Sequence, residues 1–144
     1  SLLCQVFWLC NLFGNPFSIS TSFPSDIQSA SSVFSKYVEV YGLRILATTN
    51  VPDLKVLHTA HVLAEYLDND EDGMIDQPEV LNALLGSSKS TISTMVLFAS
   101  ETEEESFASS LGPLQATITR SQNLYAEEIF ENGSLGVAAD GVPN

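Results

Sequence analysis

Between residues 68 and 79 the chain reads Asp-Asn-Asp-Glu-Asp-Gly-Met-Ile-Asp-Gln-Pro-Glu. Asp68, Asp70 and Asp72 alternate, Gly73 follows, and Asp76 and Glu79 complete the stretch. Carboxylates packed this densely repel one another. At about 4 Å each pair costs roughly 1 kcal/mol in bulk water and roughly 4 kcal/mol near a protein surface. A divalent cation is the simplest species that makes such a cluster tolerable. Hard cations take about 6–8 oxygen ligands in flexible geometry, and a short loop supplies them only by turning sharply around the ion. Gly73 provides the residue best able to adopt positive φ at that reversal.

Counted from Asp68 as position 1, the spacing resembles the calcium loop of the EF-hand family, with Gly73 at position 6 and Glu79 at position 12. The resemblance implies Ca2+ as the bound ion and a role for each residue. Asp68, Asp70 and Asp72 would each give a carboxylate oxygen. Met74 would give its backbone carbonyl. Asp76 would bind directly or through water, and Glu79 would close the site with two oxygens. Ile75 would face an apolar contact. The likeness covers residues 53–85. Pro78 at position 11 departs from the pattern, and no second copy of the loop accompanies the first, although hands of this family usually occur in pairs.

The elements that must hold this loop are legible on either side. Leu54, Leu57, Ala60, His61, Ala64 and Leu67 recur at helical spacing, which predicts a helix over 53–67. Pro52 suits its first turn and Asp53 favours the positive end of its dipole. Val80, Ala83 and Leu84 form one face of a second helix that Gly86 stops. β-branched and aromatic residues predict a strand over Tyr37–Ala47, bent at Gly42, and another over Thr91–Ser100. The order strand–helix–loop–helix–strand implies an α+β (or α/β) domain over 37–131. Residues 21–36, rich in Ser, Thr and Pro, read as a linker. The acidic run Glu101–Ser106 reads as an exposed loop, residues 124–132 as a short amphipathic helix, and residues 132–144 as a flexible tail.

Bulk properties narrow the functional classes. The chain has 144 residues and a net charge of −13. That balance argues against nucleic acid and anionic membranes as partners and favours cations or basic surfaces. Residues 1–14 are apolar and free of charge, but shorter than the ~20 residues of a spanning helix. With Pro16, Ser18 and Ser20 following, residues 1–20 read as a truncated signal peptide, and hence a secreted protein. The sequon Asn132-Gly133-Ser134 fits the same route. Cys4 and Cys10, both near the start, provide neither a disulfide framework nor a zinc signature. His58 and His61 lack an evident third ligand, and no nucleophile elbow or phosphate loop is found. The expectation is therefore a calcium-binding protein, not an enzyme. Its single loop would stabilise the fold or support calcium-dependent association with a protein partner or with itself. The alternatives are the N-terminal part of a secreted metallopeptidase-like hydrolase with structural calcium, and a dimerising cytoplasmic calcium sensor.

Overall fold

The computed structural model describes residues 17–129. The expected tail and most of the expected leader lie outside the described residues. The fold is α+β. Four strands, β1 (Lys36–Val40), β2 (Leu43–Ala47), β3 (Thr94–Phe98) and β4 (Ser121–Tyr125), form one sheet in the order β1-β2-β3-β4. β1 and β2 pair antiparallel, whereas β2, β3 and β4 run parallel.

The single bent strand expected over Tyr37–Ala47 is a hairpin. Tyr41 and Gly42 both take positive φ, 50° and 86°. A two-residue loop with both centres in that region matches the right-handed twist of the flanking strands. Gly42 is the easy member of the pair, and Tyr41 is held there despite its side chain.

Helix α1 (Asp53–Leu67) spans the residues that its apolar period predicts. Val56 and Ala60 are fully buried against Val38, Val40, Ile45, Ala47 and Leu97. A short second helix, α2 (Pro78–Leu85), places Pro at its first turn and ends at Gly86. Gly86 has φ 69° and ψ −166°, a region open essentially to glycine alone. None of the residues of α2 is buried.

The opposite face of the sheet is covered by segments that the sequence reading assigns to irregular chain. Residues 21–36 are not a linker. Ser25–Ser32 form 3-10 helix broken by a kink at Ile27, and Ile27, Ala30, Val33 and Phe34 are buried with Leu46, Val96 and Phe98. Serine content hides this, because the exposed positions are the serines. The Arg44 guanidinium, 6% exposed as a residue, pairs with Asp26 at 2.8 Å and ties the 3-10 helix to β2. Phe17 and Ile19 pack on the other face, and Ser20 exchanges two backbone hydrogen bonds with Tyr37. Glu101–Ser106 is likewise a helix, α3, rather than an exposed loop. Ser100 caps it by accepting from the Glu103 N–H at 3.2 Å, and its acids lie at the positive end of the dipole. Helix α4 (Ala108–Leu114) follows and packs through Leu114. Where an amphipathic helix is expected over 124–132, the described residues 124–129 hold the end of β4 and a 3-10 turn, Ala126–Glu128; residues 130–132 lie outside the described residues.

Both crossovers, β2 to β3 and β3 to β4, step the same way across the sheet, yet they lie on opposite faces. They are therefore of opposite hand, and one of them is the rare left-handed kind. Glu103 locks the strand ends where they meet. It accepts from the Thr48 hydroxyl at 2.8 Å, the Asn50 amide at 2.7 Å and the Ala99 N–H at 2.6 Å.

Substituting Gly86→Ala should destabilise the domain by about 2–4 kcal/mol in urea unfolding, from backbone strain and overpacking together. A Cβ there would stand 2.3 Å from the Thr91 hydroxyl oxygen and 2.7 Å from its carbonyl. Burial pushes the Glu103 carboxyl up, but its three hydrogen bonds outweigh this and hold it below the ordinary 4.5. A pKa depressed by folding contributes stability above the unfolded value and loses it as pH falls through the folded one. Stability should therefore drop on acidification below 4.5, and Glu103→Gln should flatten that acid limb while lowering stability near neutrality.

Candidate metal centre

The acidic stretch begins where α1 ends. The Asp68 N–H still donates to the Ala64 carbonyl at 2.9 Å, so the first carboxylate is placed by the last turn of a core helix. Leu67, 3% exposed, anchors that turn. Asp68 is itself 3% exposed. A buried carboxylate is costly unless donors surround it. Here the Asp72 N–H donates to Oδ1 at 3.2 Å and the Gly73 N–H to Oδ2 at 2.9 Å. The Tyr41 hydroxyl donates to it as well.

The chain then wraps around this carboxylate. The Asp72 N–H also reaches Asp70 Oδ1 at 3.3 Å, and the Met74 N–H donates to Asp72 Oδ1 at 2.8 Å. Asp76 folds back over the entrance. Its Oδ2 accepts from the Asn69 N–H at 2.6 Å, and its own N–H donates to the Leu67 carbonyl at 3.0 Å. Gly73 takes φ 85°, as the turn requires, and Glu71 takes φ 55°. The stretch is thus a closed loop between two helices.

Three of the expected ligands converge. Asp68, Asp70 and Asp76 each place one oxygen within 4.8 Å of the others. An all-oxygen donor set of this kind suits a hard divalent cation, which takes oxygen ligands. At this spacing each carboxylate pair repels by roughly 3–4 kcal/mol at an effective dielectric near 20. Asp72 and Glu79 are exposed and stand outside the converging group. Met74 is 70% exposed as a residue. Ile75 is half-buried.

Local spacing gives no sign of Tyr41. It lies across the hairpin turn, and only the antiparallel pairing of β1 and β2 brings it to the end of α1. Burial raises its pKa first, followed by the Asp68 charge, the Asp68 hydrogen bond and the Asp72 charge. His58 and His61 do not share a site. The His61 Nε2 lies 3.0 Å from Glu65 Oε1 instead, and Glu71 approaches the same pair.

Comparisons with family models, curated proteins and solved structures found no match to this chain. The reading of the site therefore rests on its geometry and on the spacing of its residues.

Tyr41 should titrate above 10.0 when followed through its ring resonances. Asp68→Asn should lower that midpoint, because a charge and a hydrogen bond that favour the protonated phenol are both removed. An unchanged midpoint would mean that the two groups do not meet in solution.

Proposed function

We propose that the Asp68–Glu79 loop is a single EF-hand-like site for Ca2+, and that bound calcium stabilises the domain. The observation that carries this reading is the convergence of Asp68, Asp70 and Asp76 on a common focus between α1 and α2. The residue spacing adds the rest. Asp72 and the Met74 carbonyl supply further oxygens, and Glu79, in the first turn of α2, closes the site with two.

A structural role suits the surroundings better than a sensory one. A sensor hand opens a methionine-rich groove on binding calcium. The chain has only two methionines, Met74 and Met95. One wall of the loop is continuous with the core through Leu67, while α2 carries no buried residue. Calcium would then act chiefly on α2, drawing Glu79 inward and fixing a helix that apolar packing alone holds weakly. An ion at 100 times its Kd stabilises a folded state by about 2.7 kcal/mol. The charge-free apolar segment near the start supports placement on the secretory route, where calcium is abundant enough to fill even a weak site. Association with a protein partner or a second copy through the unpaired loop belongs to the same proposal. Among the described residues, no helix is long and apolar enough to cross a membrane.

Calorimetric titration with CaCl2 tests the proposal. One ion per chain should bind the wild type, Glu79→Ala should weaken binding at least tenfold, and Asp68→Ala should abolish it. Equal binding by wild type and both variants, or none by the wild type, would refute the assignment.

A further inference from the structure

His61 and Glu65 lie one turn apart on α1, each with a side chain 38% exposed, and 3.0 Å separates Nε2 from Oε1. Alone, this is an ordinary helix-surface pair worth a few tenths of a kcal/mol. Glu71 changes the arrangement. It lies beyond the helix end, and its backbone takes φ 55°. One ligand atom from each of His61, Glu65 and Glu71 lies within 4.8 Å of the other two. No residue of this group is shared with Asp68, Asp70 and Asp76.

The donor set is the informative part. Calcium and magnesium take oxygen ligands. An imidazole nitrogen is instead a ligand for zinc, copper and nickel. We propose that His61, Glu65 and Glu71 form a second metal site, specific for a divalent transition-metal ion of the Zn2+ type, on the outer face of α1. Two carboxylates neutralise the ion, the neutral imidazole supplies nitrogen, and the fourth position is left to water, as in open three-ligand zinc sites. Ligand atoms about 2.1 Å from a tetrahedral ion stand about 3.4 Å apart. Two solvent-accessible glutamate side chains can settle into that spacing without disturbing the core. The Nε2 proton that faces Glu65 is released, with Nδ1 protonated instead, and the metal takes the freed Nε2 lone pair. The inference stands whether or not calcium fills the neighbouring loop, although Glu71 sits between two of that loop's acids and an ordered loop would hold it in place.

Titration with ZnCl2 tests this, using the full chain with Cys4→Ser and Cys10→Ser so that neither thiol competes, and with excess CaCl2 present to keep zinc out of the acidic loop. One zinc ion should bind, and His61→Ala and Glu71→Gln should each weaken binding at least tenfold. His58→Ala should bind as the parent does. The His61 ring nitrogen resonances of the parent should shift on zinc addition, a readout that needs no variant. Absence of zinc uptake, uptake insensitive to His61→Ala or Glu71→Gln, or an unmoved His61 ring would overturn the site. Failure of calcium binding with zinc uptake intact would remove the calcium proposal and leave this one standing.

Discussion

A carboxylate that is 3% exposed sits at the junction of three elements. Asp68 follows the last turn of α1, accepts from the Gly73 and Asp72 amides of its own loop, and receives the Tyr41 hydroxyl from the β1–β2 turn. Removing a charge from water costs several kcal/mol unless the geometry around it is good. Hydrogen bonds to a charged group recover about 1.5–3 kcal/mol each, so three donors offset much of that cost. The loop is wound because its first carboxylate has to be satisfied from within. Asp70 and Asp76 then come close as a consequence of the winding, and they bring with them a repulsion that a cation relieves.

The layers of the fold explain why this strain is sustained on one side and yielding on the other. α1 is bonded into the core by Val56, Ala60 and Leu67, which gives the loop a fixed entry. α2 leaves the loop without burying any residue. It touches the rest through contacts such as Leu85, whose Cδ2 would lie 3.0 Å from a Cβ at Gly42. Elements with few buried contacts are the ones that open locally at low free energy. A side chain on α2, such as Glu79, is therefore the one whose position a bound ion would change most cheaply. On the far face the Glu103 hydrogen bonds hold the ends of β2 and β3 together.

What was legible in the sequence follows from how local each signal is. The bounds of α1 and the Gly86 stop of α2 were readable because an apolar period, a proline and a glycine act within a single turn. The acidic loop was readable because its spacing is short. In sequence the hairpin reads as one bent strand, since the positive φ of Tyr41 is invisible in a residue type that rarely adopts it. The 3-10 segment at Ser25–Ser32 reads as linker because its few buried positions, Ile27 and Ala30, are diluted by exposed serines. Helix α3 was missed because like charge argues against order, whereas the Ser100 cap and the helix dipole favour acids in a first turn. β4, with Ser121, Gln122 and Asn123 exposed, carries too little apolar alternation to be read as a strand. Both Tyr41 at the loop and the approach of Glu71 to His61 depend on tertiary contacts or backbone turns that spacing does not encode.

Crystals grown with CaCl2 and examined for anomalous scattering test the central claim most directly. The account predicts one anomalous peak between α1 and α2, with oxygens of Asp68, Asp70 and Asp76 at about 2.3–2.6 Å from it and Glu79 turned inward. A peak elsewhere, or none, with the Asp70 and Asp76 carboxylates turned apart into solvent, would contradict it.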